Sequence, residues 1–398
     1  MLIDTIRIET HKETTSLLAQ VHYKGKHKTI YITLPIEFED FLIAEATPFF
    51  TSFFLGCMRK REKLSINASL DEKLASNIHQ IKNLVYGWDI GYKPISVSYK
   101  NTTKTHTKSR QRAMFFSGGV DSWYSYLQNQ SSAFEKPVSH WIVVHGFDID
   151  INNNQLFDRV YSEIQAVAKK ENITCIPVKT NVREILDQLL AWDYSHGSAM
   201  AGVAQAMSAN LGSVLFSGGT ETKAVRPYGI HPELDPLWST TDLDVIHIGL
   251  QARRIDKVVN WIANSTNALE SLRVCWKNPH NDYNCGQCEK CFRTMLALKA
   301  AGVYNQANTF PKEIDLSKLS KLVLEPNQIR YFQESLDILK KKNTDQELIQ
   351  SLESLITNNL NKNIYSKLTR SLRKKISEID QLFFNGSIFK ALSHNGIL

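Results

Sequence analysis

Residues 113–127, AMFFSGGVDSWYSYL, join a short apolar run to Ser117-Gly118-Gly119-Val120-Asp121-Ser122 and then to a helix-like pattern. Strand, glycine turn and helix in that order are what a phosphate-binding loop requires. Glycines carry no Cβ, so backbone N–H groups can close around an oxyanion, and the helix start adds free N–H groups and the positive end of its dipole. Ser117 and Ser122 offer hydroxyl donors. Asp121 is suited to cap the helix or to hold Mg²⁺ against phosphates. The loop is not a Walker A loop, because GxxxxGK[ST] is absent and no lysine lies in the turn. A second Ser-Gly-Gly ends the run VLFSGG at residues 214–219. It lacks the following Asp-Ser, and residues 220–223 start no clear amphipathic helix. It reads as a later strand of the same sheet, ending at the same rim, with glycines that leave room for substrate.

Outward from the loop, short apolar runs (AMFF, HWIVVHGF, ITCIPVKT, SVLFSGG, DVIHIG) alternate with helical stretches such as 156–170 and 182–190. This alternation predicts a parallel sheet covered on both faces, with ligands at the carboxyl ends of its strands. Upstream, residues 1–35 alternate apolar and polar as a small antiparallel sheet with a Lys-Gly turn, and residues 70–85 have helical periodicity. The basic, polar stretch 100–112, KNTTKTHTKSRQR, reads as a linker. From about residue 310 the chain is Leu- and Lys-rich and helical in pattern. The expected fold is therefore α/β, divided into a small N-terminal α+β domain over 1–100, a nucleotide-binding domain over 110–305 and a helical extension over 306–398.

The 398 residues are 42% hydrophobic and 22% charged, ordinary for a globular protein of two or three domains. The net charge of +7 favours an anionic partner, which a nucleotide satisfies as well as a nucleic acid. The apolar stretch 41–58 contains Glu45 and Pro48 and is interrupted by polar residues, so no membrane span is expected. The first residues alternate like a strand and lack a signal-peptide pattern, which points to the cytoplasm. Four of six cysteines, Cys275, Cys285, Cys288 and Cys291, cluster as C-x9-C-x2-C-x2-C. Four thiolates converging on one cation make a closed, structural zinc site; an iron–sulfur cluster is the rival reading. Cys57 and Cys175 lie in apolar surroundings and read as buried thiols.

The SGGxDS signature resembles that of the PP-loop ATP pyrophosphatases, with the adenine nucleotide alpha hydrolase-like (HUP) fold. The later CGQCEKCFR stretch, residues 285–293, makes residues 110–300 similar to the 7-cyano-7-deazaguanine synthase (QueC) family. The resemblance implies that the loop grips the pyrophosphate of ATP with Mg²⁺. It implies that a carboxylate of 7-carboxy-7-deazaguanine is adenylated and that a nitrogen nucleophile then displaces AMP. The family has a lysine in the helix matched by 253–257, RRIDK; Lys257 and Arg254 are the candidates for assisting pyrophosphate departure. His145, at the end of the second strand, falls where related folds seat adenosine, and Arg183 follows the third strand. In RPYGIHPELDP, residues 226–236, Arg226 could meet the substrate carboxylate bidentately, and Asp235 or Glu233 could accept from the base.

Residues 1–110 and those after the cysteine site exceed what the biosynthetic members of that family carry. In this the chain resembles the extended members found in anti-phage defence operons (Qat and type IV CBASS). Those are implicated in joining the deazaguanine carboxylate to an amine of a partner protein. Two alternatives stay open. One is a biosynthetic synthase using ammonia. The other is a tRNA-modifying enzyme, suggested by the charge and by Lys362, Lys367, Arg370, Arg373, Lys374 and Lys375, although no aromatic residues interleave those cations and nucleic acid is not the expected partner.

Overall fold

The computed structural model describes residues 1–104, 111–131, 137–219 and 225–362. Its strands are β1 (Leu2–Thr10), β2 (Thr14–Tyr23), β3 (Lys26–Pro35), β4 (Leu64–Ile66), β5 (Leu70–Asp71), β6 (Val97–Ser98), β7 (Thr102–Thr103), β8 (Gln111–Phe115), β9 (His140–His145), β10 (Thr174–Thr180), β11 (Leu211–Ser217) and β12 (Asp244–Ile248). The helices are α1 (Thr47–Lys60), α2 (Glu72–Gly87), α3 (Val120–Gln130), α4 (Asn154–Lys170), α5 (Arg183–Leu189), α6 (Trp192–Ala206), α7 (Arg254–Asn260), α8 (Thr266–Ser271), α9 (Glu289–Ala301), α10 (Leu316–Leu319) and α11 (Pro326–Lys342). The chain is α/β, as the alternating pattern predicts.

One ten-stranded sheet runs in the order β12-β11-β8-β9-β10-β3-β2-β1-β4-β6. The five strands from β12 to β10 are all parallel. The chain enters this half at its centre with β8, runs outward through β9 and β10, then returns to lay β11 and β12 on the other side of β8. That is the order of a doubly wound, Rossmann-like sheet, and it places the switch point between β8 and β11. Strand pleating separates the two faces. Ala113, Ile142, Val178, Val214, Phe216 and Val245 join a core with α1 and α6, whereas the buried alternates Met114, Trp141, Val143 and Leu215 do not.

The N-terminal hairpin forms as expected. Lys24 and Gly25 both take positive φ, +51° and +74°, which a two-residue hairpin turn needs. These strands are not set apart from the parallel half of the sheet: β3 pairs antiparallel with β10 and continues the same sheet. The joint is made by polar groups. Thr180 Oγ1 donates to Tyr31 O at 2.6 Å, and Asn181 accepts from Tyr31 N and donates to Thr29 O, each at 3.0 Å. The apolar stretch that begins near residue 41 contains α1, whose residues 47–58 are all buried. No helix among the described residues is long and apolar enough to cross a membrane.

The chain divides into two compact units, Met1–Cys285 with Asn305–Phe310, and Gly286–Tyr304 with Pro311–Leu398. The division falls inside the cysteine knuckle rather than at the basic stretch 100–112, of which 105–110 lie outside the described residues. In the second unit α11 packs on α9, and a further helical stretch spans 346–362 with Leu348, Leu352 and Leu355 buried. Of the basic C-terminal residues, only Lys362 is described.

Candidate functional site

Both Ser-Gly-Gly sequences sit at carboxyl ends of strands that flank the switch point, the first after β8 and the second at the end of β11. This is the position where open α/β sheets bind ligands. In the first loop Gly118 has φ +74°, a conformation that L side chains rarely adopt. Gly119 is the N-cap of α3 and gives it no side-chain cap, so the first-turn N–H groups point to the rim without one. Ser122 Oγ donates to Gly119 O at 3.0 Å, and Val120 is buried beneath the turn. The back of the loop is fastened by Arg273, whose N–H donates to Gly118 O at 2.8 Å.

Asp121 carries the centre of the site. Arg254 Nη1 donates to its Oδ2 at 2.8 Å and Lys257 Nζ to its Oδ1 at 2.9 Å. Spacing of three residues puts both cations on one face of α7, which packs against α3. Lys257 is fully buried, and its ammonium also donates to Gly218 O of the second loop at 2.7 Å and stands 5.0 Å from the Tyr124 ring centroid. One ammonium thus ties the Asp121 carboxylate to the second Ser-Gly-Gly. Burial of the Lys257 ammonium is offset by Asp121 and Gly218 O, and such a charged cluster at strand ends is a candidate functional site. Ser217 Oγ, in the second loop, is buried with no hydrogen-bond partner among the described residues.

Asp235 lies behind the second loop. It is fully buried, its Oδ2 accepts from His247 Nδ1 at 2.7 Å and its Oδ1 from His231 N at 3.1 Å. Burial pushes its carboxyl above the usual range, and the His247 hydrogen bond opposes this. Both Asp235 oxygens are therefore engaged by this chain. His145 is likewise engaged: Nε2 donates to Asp150 O at 3.0 Å and the ring stacks on Phe157 at 4.3 Å. Desolvation pushes its pKa down. Arg183 Nη1 donates to Phe147 O at 2.6 Å, and its guanidinium lies 4.5 Å from the Trp192 ring. Arg226 is exposed, next to residues 220–224, which lie outside the described residues together with the expected absence of a helix there. His196 and Gly197 lie one turn inside α6, which starts at Trp192.

The Sγ atoms of Cys275, Cys285, Cys288 and Cys291 all lie within 4.8 Å of one another. A tetrahedral site with metal–sulfur bonds of about 2.3 Å has sulfurs roughly 3.8 Å apart, so the four residues fit a closed metal site such as zinc. Asn284 braces the segment that carries the first ligand, accepting from Val274 N at 2.9 Å and Cys275 N at 3.2 Å and donating to Leu272 O at 2.8 Å. Cys57 and Cys175 are buried far along the chain, and burial pushes both thiols up to about 12.

Comparisons with protein-family models, with characterised proteins and with solved structures find no match to this chain. The functional reading rests on the residues themselves. Sequence patterns missed two residues of the site. Arg273 precedes the cysteine cluster with no motif around it. His247 sits in DVIHIG, where strand alternation hides a histidine among ordinary strand residues.

Proposed function

We propose that the protein is an ATP-dependent ligase of the QueC-like PP-loop kind, acting in the cytoplasm. It activates 7-carboxy-7-deazaguanine and forms an amide on an amine of a partner protein, in the manner of the extended anti-phage members it resembles. The observation that carries this reading is the convergence of Arg254 and Lys257 on Asp121 of SGGVDS at the switch point. In the reaction a carboxylate oxygen attacks the α-phosphorus of ATP and pyrophosphate leaves. The amine nitrogen then forms a C–N bond at the acyl carbon, AMP departs with the acyl oxygen's electron pair, and the amine proton passes to solvent.

The first-turn N–H groups of α3 with Ser117 and Ser122 would hold the pyrophosphate oxygens. Mg²⁺, held by Asp121, would neutralise phosphate charge. Lys257 and Arg254 would then face the negative charge that grows on the departing pyrophosphate, fixed cations in a dry site. The cysteine cluster has no open position, so a bound zinc would serve structure.

The test is liquid chromatography and mass spectrometry of the protein incubated with ATP, Mg²⁺, 7-carboxy-7-deazaguanine and ammonium. The reading predicts AMP and pyrophosphate that depend on the acid, with the base held as an adenylate or returned as acid until its protein acceptor is added. Free nitrile over many turnovers would assign ammonia as the acceptor instead. Absence of acid-dependent AMP would contradict the reading.

A further inference from the structure

Cys275 and Cys285 bracket a nine-residue loop, 276–284, to which the proposed reaction gives no task. The segment just before it is the platform of the phosphate loop. Arg273 N–H donates to Gly118 O at 2.8 Å. A Cβ built on Gly118 would stand 3.4 Å from Arg273 Cβ and 3.5 Å from Ser271 O, and one built on Gly119 would stand 3.5 Å from Arg273 O. Both glycines of SGGVDS therefore rest against residues 271–273, and any displacement of that segment moves the phosphate loop.

The bracketed loop grips this platform with three side chains. The Tyr283 hydroxyl donates to Ser271 O at 3.0 Å. Asn284 donates to Leu272 O at 2.8 Å and accepts from Val274 N at 2.9 Å and Cys275 N at 3.2 Å. Asn278 Oδ1 accepts from Arg273 Nη2 at 2.7 Å. The other side of the loop is tied to the connection between β9 and α4. Asn278 Nδ2 donates to Asp148 O at 3.2 Å, and Asn281 Oδ1 accepts from Asn153, the N-cap of α4, at 2.7 Å. Asn278, His280 and Asn281 hold φ values of +45°, +54° and +58°. That conformation is unfavourable for residues with a Cβ and persists where the surroundings enforce it. The sulfurs of Cys275 and Cys285, at the two ends, lie within 4.8 Å of one another. A metal that joins them turns the loop into a closed ring and removes the freedom by which its grips could release together.

We propose that this ring positions the phosphate loop: Asn278, Tyr283 and Asn284 hold residues 271–273 behind Gly118 and Gly119, so that metal occupancy sets the loop's affinity for phosphate groups. The three are positioning residues and act through the platform. A loop held in shape before its ligand arrives loses less freedom on binding. The link to phosphate rests on reading SGGVDS as a pyrophosphate grip; the hold of the ring on Gly118 does not.

The test pairs two readouts on the purified full chain: calorimetric binding of inorganic pyrophosphate with Mg²⁺, and hydrogen exchange at the Arg273 amide. Asn278→Gly removes the grip on Arg273 while glycine takes the positive φ freely, so the backbone is not strained. The pyrophosphate Kd is expected to rise about tenfold, the scale of one hydrogen bond to a charged group, and the Arg273 amide to exchange faster by a similar factor, with the metal content unchanged. Asn278→Asp keeps the acceptor for Arg273 and is expected to recover part of both losses. Chelating the metal of the parent protein should reproduce both changes. If chelation unfolds the chain, Asn278→Gly with its metal in place decides. An Arg273 amide that exchanges at the parental rate in Asn278→Gly overturns the proposal, as does a chelated, folded protein that binds pyrophosphate as tightly as the loaded one. Faster exchange with an unchanged Kd overturns the link to phosphate affinity. A purified protein that holds no metal yet protects this amide overturns the role of the metal. If the parent binds no pyrophosphate, the phosphate-loop reading fails. The exchange rate then decides the ring's hold on Gly118 by itself, faster exchange in Asn278→Gly upholding it and an unchanged rate overturning it.

Discussion

Replacing Asp121 by Asn keeps the shape of the side chain and removes the charge that Arg254 and Lys257 share. Lys257 would keep Gly218 O and the Tyr124 ring but lose the Asp121 carboxylate while fully buried. Removing one partner of a buried ion pair costs about 3–5 kcal/mol. The Asp121 side chain is 25% exposed, so solvent moderates the loss towards about 3 kcal/mol. At roughly 2 °C per kcal/mol, Asp121→Asn should melt about 6 °C below the parent. Lys257→Met alone should cost less, since Asp121 retains Arg254. The double variant should be more stable than the sum of the single losses implies, with a coupling of about 1–3 kcal/mol. Urea denaturation of the ligand-free protein measures all three. An Asp121→Asn protein within about 0.5 kcal/mol of the parent, or strictly additive losses, would refute the pairing.

The cysteine cluster predicts that the purified protein carries about one zinc per chain by elemental analysis, and that Cys288→Ser loses it together with solubility or thermal stability. Iron with visible absorbance would assign the rival cluster, and a metal-free stable protein would reject both. The buried thiols predict an alkaline loss of stability. Folded Cys57 and Cys175 keep protons up to about 12 that the unfolded chain releases nearer the ordinary thiol range. The folded state thus binds more protons in that window, and stability falls as pH rises, by about 1.4 kcal/mol per pH unit for each thiol. Urea midpoints between pH 8.5 and 10 should show this slope, reduced in Cys175→Ala; an unchanged slope would reject it.

The local chemistry was readable along the chain because it depends on contiguous residues. The apolar run before SGGVDS becomes β8, the glycines become the turn, and the spacing of Arg254 and Lys257 puts both on one helix face. The CGQCEKC spacing likewise brings three sulfurs close without long-range help. Strand order is a different matter. That the second Ser-Gly-Gly lies beside the first depends on β11 pairing with β8, and no local pattern encodes a partner. The union of the N-terminal strands with the parallel half of the sheet depends on Thr180 and Asn181 meeting Tyr31 and Thr29, polar residues that read as an ordinary strand end. Asp235 has the composition of a ligand-binding loop residue, but the chain folds it under His247. His145 has the position of a ligand contact, but Asp150 and Phe157 occupy it.

The central claim is that SGGVDS, with Arg254 and Lys257, splits ATP between its α- and β-phosphates. The direct measurement is the fate of ATP labelled on its γ-phosphate, incubated with the protein, Mg²⁺ and 7-carboxy-7-deazaguanine. The account predicts labelled pyrophosphate and AMP in equal amounts, lost in Asp121→Ala. Labelled orthophosphate with ADP, or pyrophosphate release that survives in Asp121→Ala, would contradict it.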